Sequence, residues 1–407
     1  MFDFLLTEEE KKLKQEVREF VKNVPSELVR AMDSGEIEFA REFITSAARK
    51  NLLGLRFPPD YQGRGLNWVA EMTAMEEVGI LGSTLGCHYA MPSIVGEALS
   101  IYGTKEQKEK YLKPILNAEI FCAEALTEPR GGSDFFGAAT TARKVGGEYI
   151  LNGQKRFVVG AEGADVFLVY AKTAPENPPQ KSISLFIVER DMGVEVKKVY
   201  GLMGTRGGGT GRIIFDQLRI PPSCLLGEEN AGGEIFNQMM IPERMTSAGG
   251  ALGAARGALE VATIYTTRRQ AFGRTIMKFQ GVNFKIADSI AALDAATSLS
   301  YAAARLIDSG RDARRLVSEA KKVATEAAWD VVNNAMQVMG GIGYTDVYPV
   351  ERLLRDIRLM MIWTGTNEIM NLLIQHEYYR ELGARQQQTR NLEQDAGGLD
   401  EQEKVYE

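Results

Sequence analysis

Histidine is scarce in this chain of 407 residues: only His88 and His376 occur, far apart in sequence. No imidazole cluster for a metal is expected on that supply, and a general base is expected to be a carboxylate. Cysteine is also sparse. Cys87, Cys122 and Cys224 are odd in number, widely spaced and without a CxxC pair, which argues against a disulfide framework or a metal site and leaves buried thiols as the default. Basic charge is not in excess. With 48 Lys and Arg against 54 Asp and Glu the net charge is -6, so no nucleic-acid partner is expected. Long apolar runs are missing from the amino terminus, where MFDFLLTEEEKK turns quickly to charge. Neither a signal peptide nor a membrane span is expected, and the chain is assigned to the cytoplasm. What the chain does have is bulk: at 44% hydrophobic and 25% charged residues it has a globular composition, and its length calls for two or three domains able to bury a large cofactor.

Residues 1–119 read as helices. Thr7-Glu8-Glu9-Glu10 has the form of a capping box, after which Leu13, Val17, Phe20 and Val21 recur at helical spacing. A second helical pattern covers Val69–Ile80, the small-residue run Gly82–Gly86 leads into Cys87-His88-Tyr89-Ala90-Met91, and KEQKEKYLKPIL is amphipathic. Between 120 and 227 the period switches to two. Tyr149-Ile150-Leu151 and Phe157-Val158-Val159 flank Asn152-Gly153, which predicts a hairpin turn there. Further strand-like runs are Asp165–Lys172, Ile183–Glu189, Val194–Val199 and Gly211–Ile220. From 228 to 385 the chain returns to helices, with a narrow small-residue stripe at Met245, Ala248, Leu252, Ala255, Leu259 and Ala262. Further helical segments are expected at Gln280–Asp308, Asp312–Met339 and Tyr348–Leu382. Four long helices with short connections suggest a bundle. The tail 386–407 is polar and expected to be disordered or draped over a neighbour. The fold class is thus α+β multidomain: a helical domain, a barrel-like β domain and a four-helix bundle.

The stretch FCAEALTEPRGGSD reads as a strand that leaves a buried sheet and opens at Pro129 into a loop. Gly131 and Gly132 let the backbone approach a bulky ligand, and Thr127, Ser133 and backbone N–H groups can meet phosphate or heterocycle edges. Gly-Gly-Ser-Asp alone is most often a surface turn. The longer string ALTEPRGGSDFFG closely resembles a signature of the acyl-CoA dehydrogenase family, in which this strand and loop lie along the flavin of FAD and beside the CoA thioester. Five more motifs in order carry the same resemblance over 1–385: NGQKRFVVG, MGTRGGGT, TRRQAFGRTIMKFQ, QVMGGIGYTDVYPVERLLRD and IWTGTNEIM.

The resemblance implies site residues position by position. Leu126, Thr127, Gly132 and Ser133 match flavin contacts, with Ser133 also near the CoA chain, and Phe157 and Val159 lie on the strand against the flavin. Arg269 and Phe272 match residues at the FAD pyrophosphate and adenine, with Gln280 on the same surface. Gln337, Gly340 and Gly341 match a contribution to the neighbouring subunit's FAD, and Thr366 and Glu368 match residues near the cofactor. Outside the family, Arg269 is an ordinary helix-end cation and Gly340-Gly341 a helix stop. There are departures: the family commonly has Trp and Thr where this chain has Phe157 and Val159, so a hydroxyl at the flavin is missing. Ile241, Gly208 and Val347 also differ from the usual residues.

The expected function is FAD-dependent α,β-dehydrogenation of an acyl-CoA, with electrons passed to an electron-transfer flavoprotein, by a homotetramer. In much of the family the catalytic glutamate precedes the Gly-Thr over the active site, but here Thr364 stands there. A subset resembling isovaleryl-CoA and long-chain acyl-CoA dehydrogenases carries the glutamate on the first bundle helix, where this chain has Pro242-Glu243-Arg244. Glu243 is therefore the expected base, although without the family it reads as a helix-start carboxylate. Substrate contacts are expected from Ser133, Arg244, Thr364 and Gly365. An oxidase or monooxygenase of the same fold, and an idle acyl-CoA-binding scaffold, are the alternatives. His88 is expected to be a satisfied, partly buried histidine.

Overall fold

The computed structural model describes residues 2–385 and Arg390; the polar tail 386–407 otherwise lies outside the described residues. Helix α1 (Glu8–Lys22) opens on the expected capping box: Thr7 Oγ1 accepts from the Glu10 amide, and the Glu10 carboxylate accepts from the Thr7 amide. The same carboxylate takes two bonds from Arg305, at 2.7 and 2.6 Å, which fastens the amino-terminal helix to the carboxy-terminal bundle. After α2 (Ser26–Ser34) and α3 (Arg41–Arg49) come α4 (Trp68–Gly79) and α5 (Ser83–Tyr102). Helix α4 is buried along its whole length, so it shows no polar face. KEQKEKYLKPIL is helical but broken in type: α6 (Lys105–Gln107), a π turn at Lys108–Leu112, then α7 (Lys113–Leu116).

An eight-stranded sheet follows, in the order β6-β7-β3-β2-β4-β5-β8, with β1 paired in parallel on β4. Its strands are β1 (Cys122–Ala125), β2 (Thr141–Val145), β3 (Glu148–Val158), β4 (Val166–Lys172), β5 (Ile183–Glu189), β6 (Glu195–Val199), β7 (Gly211–Ile220) and β8 (Leu225–Leu226). The hairpin is not at Asn152-Gly153. Its turn is Gly146-Gly147, between β2 and β3, while β3 runs on through Asn152-Gly153 with a register shift against β7. The reason is tertiary. A side chain at Gly153 would stand 2.4 Å from Thr140 Oγ1, and Asn152 Oδ1 accepts from the Gln217 amide at 2.8 Å, so the pair makes a bulge that lets β3 bend past its neighbours.

The remaining helices are α8 (Gly232–Arg268), α9 (Gln280–Asp308), α10 (Arg314–Met339), α11 (Val350–Met360) and α12 (Asn367–Arg385), with the short ribbon β9 (Gln270–Ala271) and β10 (Arg274–Thr275) between α8 and α9. Helix α8 crosses α4 at very short range, because a Cβ at Gly253 would sit 2.2 Å from the Glu76 carbonyl oxygen. Two expectations change here. Pro242 and Glu243 lie in the interior of α8, not in a first turn, so the macrodipole does not explain the carboxylate. The stretch 348–382 is two helices, α11 ending at Met360 and α12 starting at Asn367, with Thr364 and Gly365 between them at positive φ (54° and 87°). No described helix is long and apolar enough to cross a membrane.

Candidate active site

Glu243 projects from α8 next to Glu124 of β1, the two carboxyls within hydrogen-bonding reach, and near Cys87 of α5. Burial raises the Glu243 pKa above the ordinary carboxylate value, opposed by the contact with Glu124 and the charge of Arg244. Burial raises Glu124 much further, and the neighbouring Glu243 adds to that. Beside them the Tyr170 hydroxyl of β4 is buried without an aligned partner, and its ring meets Phe135 and Phe236 edge-on at 5.2 and 6.4 Å. Sequence reading passed over Glu124. Its signal was a lone acid in the otherwise apolar run FCAEAL.

Arg244 turns the other way and holds the segment between α11 and α12. Its Nε donates to the Thr364 carbonyl and its Nη1 to Ser318 Oγ, each at 3.4 Å. The Trp363 indole donates to Ser247 Oγ at 2.6 Å, and Lys321 Nζ donates to the Gly365 carbonyl and Asn367 Oδ1, both at 2.8 Å. The sequence-derived Arg244, Thr364 and Gly365 thus meet one another, with Lys321 as an unforeseen support, and Glu243 is the residue before Arg244 on α8. Burial and the nearby Arg244 push Lys321 down to about 7. An unfolded lysine keeps its proton up to about 10.4, so between pH 7 and that value the unfolded state binds more protons and Lys321 makes stability rise with pH. In Lys321→Met that part of the rise should vanish. Urea melts at pH 7, 8 and 9 check it: equal slopes in both proteins would refute it.

A second group surrounds the turn after β1. Lys155 Nζ, fully buried on β3, donates to the Leu126 carbonyl at 3.2 Å and to Glu128 Oε1 at 2.7 Å, while the Thr127 carbonyl accepts from the Arg156 amide at 2.7 Å. Glu128 also accepts from the amides of Ala139 (2.5 Å) and Thr140 (3.1 Å). Leu126 and Thr127 are therefore fixed by backbone bonds, and beyond them Gly132 and Ser133 are exposed, with open space where a Gly132 Cβ would be. Phe157, at φ 56°, leaves its ring 54% exposed against Tyr200. Val159, half-buried, borders a small void with His88 and Phe39. His88 is more buried than expected: it meets the Gly208 backbone, though neither ring nitrogen has a well-aligned hydrogen bond, and burial lowers its pKa to about 4.

The third group is an open cavity of about 850 Å³ between the ends of α8 and α10, lined by Arg269, Gln337, Gly340 and Gly341 with Tyr265 and Tyr348. Side chains at Gly340 and Gly341 would meet nothing, which leaves their backbone open to a ligand. No residue of the 126–159 group lines it. Phe272 stands outside on the β9–β10 ribbon, 96% exposed, and Gln280 begins α9. Thr366 caps α12 by accepting from the Ile369 amide at 3.3 Å, and Glu368 is exposed in its first turn. An open, backbone-rich cradle, a cation beside a large cavity and an exposed aromatic ring suit an extended flavin dinucleotide. Among the described residues no cluster of His, Cys, Asp or Glu could hold a metal ion.

Comparison with known proteins agrees with this arrangement along the chain. Models of the acyl-CoA dehydrogenase N-terminal, middle and C-terminal domains match residues 7–119, 123–218 and 230–379. The 3-(aryl)acrylate reductase of Clostridium sporogenes is 38% identical over 370 residues, covering 90% of this chain and 98% of that protein. The caffeyl-CoA reductase-Etf complex subunit CarC of Acetobacterium woodii is 35% identical over 371 residues, covering 90% and 97%. Butyryl-CoA dehydrogenase from Megasphaera elsdenii has a solved structure that superposes with a TM-score of 0.89 at 30% identity, over 92% of this chain and 99% of that one. With all three domain models matched in order on a helical, β and helical layout, the chain belongs to the acyl-CoA dehydrogenase family.

Proposed function

We propose that the protein is a cytoplasmic, homotetrameric acyl-CoA dehydrogenase in which Glu243 removes the Cα proton of an acyl-CoA. The observation that carries this reading is a half-buried carboxyl of raised pKa on α8, linked through Arg244 to the Thr364-Gly365 turn. A base needs a pKa lifted towards working pH, and burial supplies that here. Removing the proton builds negative charge on the thioester oxygen, which backbone N–H groups near Thr364-Gly365 stabilise; Arg244, Lys321 and Trp363 hold that turn still. Bound FAD supplies the acceptor for the Cβ hydride. Leu126, Thr127, Gly132, Ser133, Phe157 and Val159 would hold its flavin end, with Thr366 and Glu368 nearby. Arg269, Phe272, Gln280, Gln337, Gly340 and Gly341 would serve the dinucleotide end across a subunit boundary.

Electrons then pass to an electron-transfer flavoprotein, a partner supported by the relative that is itself a subunit of an Etf complex. Two relatives named for aryl substrates make aryl-substituted acyl groups the first to try. The test is anaerobic bleaching of the flavin by straight-chain, branched and aryl-substituted acyl-CoAs, followed by addition of an electron-transfer flavoprotein. Bleaching reversed by that partner but not by air is the expected result. Rapid recovery in air would favour the oxidase reading, for which the missing hydroxyl at Val159 is the motive, and no bleaching by any thioester would favour the scaffold.

The division of FAD contacts between two groups of residues makes a further prediction. Phe272, Phe284, Tyr344, Val347 and Tyr379 also leave a large apolar surface exposed on the single chain. FAD occupancy should therefore require at least a dimer. Light scattering of holo and apo protein decides: a monomer with full FAD would refute it.

A further inference from the structure

Strand β1 sorts its side chains by alternation. Ala123 and Ala125 pack into the core of the sheet, while Cys122 packs into the core shared with the helices, so Glu124 lies on the helix-facing side. There it meets Glu243. With Glu124 buried and Glu243 half-buried, two carboxyls in contact cannot both ionise readily, so one proton stays with the pair. The groups around them offer no free cation. On β3, Lys155 is committed to Glu128 and the Leu126 carbonyl, and Arg244 on α8 is committed to Thr364 and Ser318. Tyr170 on β4 and Cys87 on α5 are held neutral by burial.

Which carboxyl keeps the proton follows from their neighbours. Arg244, the next residue on α8, favours an ionised Glu243. The Tyr170 hydroxyl and the charge of Lys155 favour the same form of Glu124, but burial and the neighbouring Glu243 outweigh them: Glu124 is only 8% exposed and its Oε1 has no aligned donor. We infer that Glu124 is a positioning residue of the reaction: it remains protonated and donates its O–H to the Glu243 carboxylate, which keeps the base ionised and fixed in place. The inference rests on Glu243 as the base and adds what sets its basicity. A hydrogen bond given to the charged form lowers a pKa, so its loss must raise it.

The experiment uses holoenzyme and the acyl-CoA that bleaches wild type fastest, with stopped-flow flavin reduction from about pH 5.5 to 9. Glu124→Leu removes the donor, and the acid limb of the rate profile should move up by about one to two pH units, the scale of one hydrogen bond to a charged group. Glu124→Gln keeps an N–H donor and should restore the limb, and acyl-CoA affinity should stay within about twofold in both, since binding energy is not removed. An unmoved limb in Glu124→Leu, equal shifts in both variants, or a change confined to affinity would overturn the assignment. So would a loss in Glu124→Gln as deep as in Glu243→Gln, which would make Glu124 the base. Infrared difference spectra of resting wild type and Glu124→Gln provide a readout independent of turnover. A protonated-carboxyl band lost in the variant supports the inference, and its absence from wild type refutes it. Normal bleaching in Glu243→Gln would instead refute the base while leaving that band intact.

Discussion

Glu243→Gln should retain yellow FAD and bind acyl-CoA, yet reduce its flavin about two to four orders of magnitude more slowly, the usual scale for loss of a general base. The amide is nearly isosteric, so packing around α8 should persist while the proton acceptor is gone. Thr364→Ala should be far milder. A hydroxyl is too weak a base for this proton, and Thr364 offers its carbonyl to Arg244, a bond that survives the substitution. Rapid mixing of both variants with substrate decides between them: near-normal bleaching in Glu243→Gln would remove the carboxylate from its role.

Lys155→Met should be the most damaging change to stability. Lys155 is fully buried and Glu128 nearly so, and the methionine leaves the acid buried with only the Ala139 and Thr140 amides. Breaking a buried ion pair from one side costs about 3–5 kcal/mol. Burial pushes the Glu128 pKa up, but Lys155 and the two amides outweigh it and hold the carboxyl below its ordinary value. The same lysine positions the Leu126 carbonyl, so flavin retention should weaken together with stability. Urea melts followed by flavin fluorescence measure both. The double variant Lys155→Met/Glu128→Gln should recover much of the loss, because no uncompensated charge remains; a single-variant loss below about 1 kcal/mol would mean that water reaches the pair.

Much of the architecture is written in local pattern. Thr7 and Glu10 mark the start of α1, short apolar runs mark β4 and β5, an alternating run marks β7, and the Gln280–Asp308 stretch gives α9 with its bounds. Those signals survive because each depends on neighbours a few residues away. Asn152-Gly153 misleads for the opposite reason. The pair suits a turn, but Thr140 and Gln217, distant in sequence, fix it as a bulge. The run 348–382 breaks between Met360 and Asn367: Gly365 is its local hint, and Arg244 and Lys321 grip the Thr364 and Gly365 carbonyls from other helices.

The sequence by itself determined the family, through six motifs in order, and pointed to Glu243 through the vacancy at Thr364. The scarcity of histidine also favoured a carboxylate as the base. Tertiary structure alone decided what surrounds that base. Glu124, Tyr170 and Cys87 come from β1, β4 and α5, and only the packing of the sheet against α5 and α8 brings them to Glu243. The raised pKa of a carboxyl is a property of burial and neighbouring charge, and neither exists until the chain has folded.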